Sequence, residues 1–192
     1  MPTYYGLKLK LHPQVYEPAE DTFLLAENLA VKPGDRALDM GTGSGLIALF
    51  MAKKAEFVLG VDVNPIAVEL ARENAKINGI GNVEFIVSDL FENVEGEFDL
   101  VTFNAPYLPG EAKEPIDLAL VGGEGGREVV DRFIGEVGDY LRAGGMVQLV
   151  QSSITGVEET LRLFKKFGFQ ARVAAKVHFF FEDIVLVNAK KV

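Results

Sequence analysis

Asn104-Ala105-Pro106-Tyr107 gathers two hydrogen-bond acceptors and an aromatic ring into four residues. The Asn104 side-chain oxygen and the Ala105 carbonyl could grip both hydrogens of a planar –NH2 group, and Tyr107 could stack on its face. An amide or exocyclic amine nitrogen is a poor nucleophile, because its lone pair is delocalised into a carbonyl or a ring. Gripping both hydrogens orients the nitrogen and favours its distortion as an electrophile arrives in line. Alkylation of such a nitrogen needs no strong base, since it becomes acidic only as it is alkylated. With a neutral thioether as leaving group it needs no metal either. An Asn-x-Pro-aromatic turn also serves as plain loop chemistry, so its meaning depends on what surrounds it.

What surrounds it is a ligand loop. Leu38-Asp39-Met40-Gly41-Thr42-Gly43-Ser44-Gly45 follows an apolar strand pattern and precedes a helical one. Glycines there, Gly41 and Gly43 among them, let the backbone turn sharply and approach a ligand. A dinucleotide fingerprint needs Gly or Ala at position 46, where Leu46 stands. Asp39 at the loop mouth would repel a pyrophosphate and suits the ammonium of an amino acid. S-adenosyl-L-methionine carries that ammonium, a sulfonium and no phosphate, so the loop reads as a methyltransferase loop. Asp62 closes the next strand pattern, where a carboxylate can accept both ribose hydroxyls, while Asn64 can cap the helix starting at Pro65. Asp89, in Ser88-Asp89-Leu90, ends a third strand pattern and could accept an adenine amino group.

The elements that must hold these residues follow from periodicity. Strand patterns fall at Ala37–Met40, Phe57–Val61, Val83–Val87, Leu100–Phe103 and Met146–Val150. Helical ones fall at Gly45–Lys53, Pro65–Asn78 and Arg127–Leu141. An N-terminal helix is predicted over Ala19–Ala30, and alternating Leu7, Leu9 and Leu11 predict a short edge strand before it. Strands joined by helices imply right-handed crossovers and a doubly wound, Rossmann-like parallel sheet of the α/β class. The tail breaks this rhythm. After a helix over Val157–Phe167 come two strand patterns, Gln170–Lys176 and Ile184–Val187, with no helix between them. The second must pair antiparallel, so the mostly parallel sheet ends in an antiparallel hairpin, as in class I methyltransferases. Pro106–Gly126 is longer than a structural connection needs to be and is expected to frame a substrate entrance. Glu17, Glu20 and Asp21 shape the same mouth or charge the first turn of the N-terminal helix.

The 192 residues suit one domain over 1–192, with 1–30 an N-terminal extension and helix capping the cofactor site. No apolar run is long enough to cross a bilayer, no signal peptide is visible, and the expected compartment is the cytoplasm. There are no cysteines and only two distant histidines, His12 and His178, so no metal site is expected. With 28 acidic against 19 basic residues the net charge is −9 and the basic ones are scattered. Unaided nucleic-acid binding, which draws its affinity from phosphate neutralisation, is disfavoured.

Val15-Tyr16-Glu17-Pro18-Ala19-Glu20-Asp21-Thr22 resembles the N-terminal signature of the HemK-type release-factor glutamine N-methyltransferases, in their archaeal and eukaryotic branch. Asp39–Gly45, Asp62, Asp89 and Asn104–Tyr107 match that family's motifs in order, as does Gly122-Gly123-Glu124-Gly125-Gly126-Arg127-Glu128. The resemblance runs from about Val15 to the last strand. It implies methylation of the side-chain amide nitrogen of the glutamine in the Gly-Gly-Gln loop of a class 1 translation release factor. It implies that Thr22, Asp39, Gly41, Asp62, Asp89 and Leu90 touch the cofactor and that Asn104 to Tyr107 hold the glutamine. It also implies a small zinc-binding activator subunit on a sheet edge, here Val83–Val87. Ala105 stands where the family usually has proline. The carbonyl survives, and the lost ring removes about 0.5–1 kcal/mol of preorganisation. The alternative is an adenine or guanine N-methyltransferase acting on DNA or RNA, with the same Asn-Pro-Pro-Tyr chemistry but usually a basic recognition domain. A nicotinamide oxidoreductase is opposed by Asp39 and Leu46, and a non-catalytic adaptor by intact Asn104 and Tyr107.

Overall fold

Apolar runs that bury both faces form the middle of the sheet, as expected of parallel strands covered by helices on both sides. A computed structural model describes residues 1–179 and 181–192. A hairpin of β1 (Thr3–Tyr4) and β2 (Leu7–Lys8) comes first, then α1 (Glu20–Glu27). The alternating part runs β3 (Arg36–Met40), α2 (Leu46–Ala52), β4 (Phe57–Asp62), α3 (Pro65–Asn78), β5 (Val83–Val87) and β6 (Phe98–Asn104). It continues with α4 (Glu128–Glu136), β7 (Leu141–Ser152) and α5 (Val157–Lys166), and closes with β8 (Phe169–Phe179) and β9 (Glu182–Lys191).

The sheet order is β5-β4-β3-β6-β7-β9-β8. The first five strands pair parallel, and β9 pairs antiparallel with both β7 and β8. The chain winds outward from β3 to β5, then crosses back to lay β6 on the other side of β3. That reversal opens a crevice at the carboxyl ends of β3 and β6, where open sheets of this kind take ligands. Side chains alternate across the sheet into two cores. Ala37, Leu100, Val150 and Leu186 face α1, α2 and α3, while Leu38, Val101, Leu149 and Val187 face α4 and α5. Asn64 caps α3 by accepting from Ile66 N at 2.9 Å, so Asp62 is free of that task.

The strands of the second half run longer than expected, β7 by five residues at its start, and three further differences have local causes. The helix expected over Ala19–Ala30 ends at Glu27, where the Asn28 side chain donates back to Leu24 O at 2.8 Å. The one expected over Arg127–Leu141 ends at Glu136, passes into a 3-10 turn (Val137–Tyr140), and leaves Leu141 to open β7. The Leu7-Leu9-Leu11 pattern does not add a strand to the main sheet. Leu7 and Leu9 are buried, but the backbone between them pairs with side chains of α3. Asn78 accepts from Lys8 N at 2.9 Å and donates to Lys8 O at 2.8 Å; Asn74 does the same for Lys10 at 2.7 and 3.1 Å. Two asparagines one helical turn apart thus imitate a neighbouring strand. β5 is an edge strand as expected, with Val87 exposed, and β8 is the opposite edge. Among the described residues no helix is long and apolar enough to cross a membrane.

Candidate active site

The connections after β3, β4, β5 and β6 each contribute a wall to one cavity of about 260 Å3, an order of magnitude more than one water needs. Thr22, Asp39, Gly41, Gly43, Asp62, Asp89, Leu90, Asn104 and Pro106, all singled out by sequence, line it together. Ala105 and Tyr107 do not. Ala105 is buried behind the cavity, its N–H donating to Val150 O at 3.2 Å. Tyr107 is half-buried beside it, close enough to Asp21 and Glu182 for their charges to act on its phenol.

The glycine loop owes its shape to backbone that side chains avoid. Gly41, Gly43 and Gly45 all have positive φ, and a Cβ on Gly45 would stand 3.0 Å from that of Ala71 on α3. A Cβ on Gly43 would meet nothing within 4 Å, so the loop's open side faces free space.

Asp39 is only 2% exposed. Thr42 Oγ1 donates to its Oδ2 at 2.7 Å and Thr102 Oγ1 to its Oδ1 at 2.8 Å. Burial still pushes its carboxyl up to about 6, against those two hydroxyls and the Ala48 N–H. Asp62 is likewise raised by burial, opposed by the backbone N–H groups of Asn64, Gly43 and Val63. Gly43 N and Asn64 N each donate to one of its oxygens at 2.9 Å, which ties the glycine loop to the end of β4. Asp89 is half-exposed and meets Arg132 of α4 at 3.3 Å. Leu90, beside it, holds φ at 46°, a left-handed conformation rare outside glycine. Ser88 holds it there by donating from Oγ to Leu90 O at 2.9 Å. Strain of this kind recurs at ligand sites.

At the other end lies Asn104. Its Nδ2 donates to Thr22 Oγ1 at 3.4 Å, whereas its Oδ1 is buried and has no hydrogen-bond partner among the described residues. An unpaired buried acceptor costs about 1–3 kcal/mol, and this oxygen has its hydrogen-bonding capacity unspent.

The connection after Asn104 braces the turn. Leu108 N donates to Leu120 O at 2.7 Å and Gly122 N to Leu108 O at 2.9 Å. A Cβ on Gly122 would stand 2.5 Å from Pro106 O, and one on Gly126 would stand 2.8 Å from Tyr107 O. The Gly-Gly-x-x-Gly-Arg-Glu run is therefore a backbone-on-backbone clamp around Pro106-Tyr107. Arg127 secures it by donating to the Thr155 and Gly156 carbonyls.

The sequence marked Pro106–Gly126 as framing an entrance but did not single out the residues that wall the cavity. Leu118 and Ala119 come from a 3-10 turn (Pro115–Ala119), Val121 from just beyond it, and Val129 and Arg132 from α4. The available signal was the apolar stretch Leu118–Val121 inside an otherwise polar, Gly- and Pro-rich loop. Tyr16 and Pro18 also line the cavity.

A seven-stranded sheet with this order, a glycine loop after β3 and carboxylates at successive strand ends define a class I methyltransferase. The methyltransferase small domain family matches residues 17–181, and the chain belongs to that family. It is 50% identical over 189 residues to the putative protein N5-glutamine methyltransferase MJ0928 of Methanocaldococcus jannaschii, covering 96% of this chain and 95% of that protein. Methyltransferase HEMK2 of Homo sapiens is 34% identical over 176 residues, which cover 83% of this chain and 82% of that one. Among solved structures, a chain of the E. cuniculi Mtq2–Trm112 complex, responsible for methylating the eRF1 translation termination factor, superposes with a TM-score of 0.76. It is 29% identical, and the match covers 93% of this chain and 99% of that one.

Proposed function

We propose that this methyltransferase moves a methyl group from S-adenosylmethionine to the side-chain amide nitrogen of the glutamine in the Gly-Gly-Gln loop of a class 1 translation release factor. The observation that carries this reading is the unpartnered, buried Oδ1 of Asn104. It is an acceptor waiting for an N–H donor, at the mouth of a cavity whose residues fit the cofactor. The names of the related proteins, which specify protein glutamine and release factors, support the choice of an amide over a nucleobase. So does the net charge of −9.

In this reading Asp39 attracts the cofactor's ammonium, Asp62 takes the ribose hydroxyls and Asp89 the adenine amino group. Thr22, Gly41, Gly43 and Leu90 complete its bed, and Asn104 closes it. When bound, S-adenosylmethionine supplies an electrophilic methyl on sulfur and leaves as a neutral thioether. Asn104 Oδ1 accepts one amide hydrogen, orienting the nitrogen for in-line attack; the roles expected of the Ala105 carbonyl and Tyr107, which lie outside the cofactor cavity, require the glutamine to enter beside it. Burial, followed by the charges of Asp21 and Glu182, pushes the Tyr107 phenol up to about 12, so Tyr107 stays neutral and serves as a surface, not a base. As the N–C bond forms, the nitrogen becomes acidic and releases one of its two hydrogens to solvent water.

The same reading extends to a small partner along the free edge of β5, as Trm112 accompanies Mtq2 in the E. cuniculi complex. An unpaired edge with apolar Val87 exposed suits strand-edge docking. Family resemblance implies that this partner binds zinc, and a release-factor substrate implies the cytoplasm.

The test is transfer of labelled methyl to a purified release factor, with its Gly-Gly-Gln glutamine intact or changed to alanine, with and without the partner. Label on the intact factor alone supports the proposal. Absence of label under every condition, with cofactor still bound, removes the release factor as substrate and turns attention to RNA and DNA.

A further inference from the structure

The Asn104 amide can lie in either of two orientations, and only one presents an acceptor to the substrate. What selects it is a chain of buried groups from the N-terminal segment. Thr22 Oγ1 donates to Asp21 Oδ1 at 3.2 Å, and Thr22 N donates to the same oxygen at 2.6 Å. Tyr16 Oη donates to the Asp21 carboxylate at 3.1 Å. Asp21 and Thr22 are 6% and 7% exposed, so little water reaches the bonds between them, while Tyr16 closes the carboxylate from a half-buried position. A carboxylate accepts only, and a threonine hydroxyl has a single hydrogen to give. With that hydrogen committed to Asp21, Thr22 Oγ1 can only accept from Asn104. It receives the Asn104 Nδ2 hydrogen at 3.4 Å, which leaves Oδ1 unpartnered.

We propose that Asp21, braced by Tyr16, is a positioning residue that acts through Thr22 to hold the Asn104 amide with its oxygen toward the acceptor nitrogen. This deepens, and rests on, the amide-methylation reading above. It explains why an acidic pair at the start of α1 matters beyond the charge of a helix first turn: Glu20 is exposed, whereas Asp21 is buried with its acceptors committed.

The role separates from a charge or proton-acceptor role by comparing two substitutions. Asp21→Ala frees the Thr22 hydrogen, which can then donate to Asn104 and turn its amide. Asp21→Asn removes the charge but keeps an oxygen for the Thr22 hydrogens. Asp21→Ala is expected to lower kcat on the release factor on the order of 10²-fold, as for loss of one preorganised contact to the reacting group, with KM changed less than about threefold. Asp21→Asn is expected to recover at least roughly tenfold of that loss, the worth of a retained hydrogen bond. In a Thr22→Val background, at saturating cofactor, Asp21→Ala should add little, because its effect passes through the missing hydroxyl. Loss in Asp21→Asn equal to that in Asp21→Ala, or losses that multiply in the double variant, would overturn the proposal.

A readout independent of activity is the nuclear Overhauser contact between the Asn104 Nδ2 hydrogens and the Thr22 side chain. It should be present in the wild type and lost in Asp21→Ala. Its absence in the wild type overturns the positioning role even if the enzyme is active. Its presence in a wild type that labels no release factor supports the positioning role and refutes the proposed substrate. Should Asp21→Ala fail to fold, the contact in the wild type and the kcat of Asp21→Asn relative to Thr22→Val decide the matter. A kcat for Asp21→Asn below that of Thr22→Val overturns the proposal, and one above it supports it.

Discussion

Thr102 of β6 donates its hydroxyl hydrogen to Asp39 of β3 at 2.8 Å, from the strand that lies beside it in the sheet. That bond and the one from Thr42 moderate the cost of a carboxylate at the crevice floor without removing it. The group sits at about 6 instead of its ordinary 3.8. The folded state therefore favours the protonated form. The stability it adds is full below the ordinary carboxylate range and is lost as pH rises through about 6, by up to about 3 kcal/mol. Cofactor affinity should move the opposite way, because the neutral acid cannot attract an ammonium. Calorimetric titration is expected to show binding weakening as pH falls from 7.5 to 5.5. Asp39→Asn should bind weakly and without that pH dependence. It should also lessen the fall in stability between about pH 4 and 6, leaving the share that belongs to buried Asp62.

Asn104→Ala removes the unpartnered acceptor and leaves the carboxylates of the cavity in place. Methyl transfer should fall by at least about 10²-fold, while the dissociation constant for the cofactor stays within about threefold. Transfer of labelled methyl and isothermal titration measure the two separately. Loss of cofactor binding would contradict the role given to Asn104.

Gly122→Ala would drive a methyl group into the Pro106 and Gly126 carbonyls, at 2.5 and 2.6 Å. Neither is the end of a flexible side chain, so the loop or the turn must move. The expected cost is about 1–3 kcal/mol in denaturant melts, with transfer reduced more than tenfold. Gly125→Ala meets open space and serves as the control.

The Arg132–Asp89 pair is about half-exposed on both sides, so its contribution to folding is small. Arg132→Ala should shift stability by less than about 0.5 kcal/mol. Asp89→Ala should be equally benign to folding yet weaken cofactor binding by about tenfold. Thermal melts with and without cofactor separate these effects.

Asn74 is fully buried and bonds Lys10 N, Lys10 O and Ser44 O, joining the N-terminal strap, α3 and the glycine loop. Asn74→Ala strands these backbone groups and is expected to cost about 2–4 kcal/mol. Limited proteolysis should then cut between residues 1 and 19 first.

Much of this molecule is legible in one dimension. The five parallel strands, the helices between them and the antiparallel tail follow from periods of two and 3.6, because a pleat and a helix repeat locally. Asp39, Asp62 and Asp89 are visible as strand-end carboxylates for the same reason, since a motif anchored to a strand end carries its position with it. Asn104 to Tyr107 announce acceptors and a ring by residue type alone. What the sequence could not decide lies between residues far apart in the chain. The Asn74 and Asn78 side chains take the place of a strand for Lys8 and Lys10 across more than sixty residues. Arg132 reaches Asp89 across 43, and Thr22 reaches Asn104 across 82. Leu118 and Val121 become a cavity wall only once the loop has folded back onto Leu108. Which way the Asn104 amide points is likewise a tertiary fact. It depends on where the Thr22 hydroxyl hydrogen goes, and Asp21, far from Asn104 in the chain, takes it.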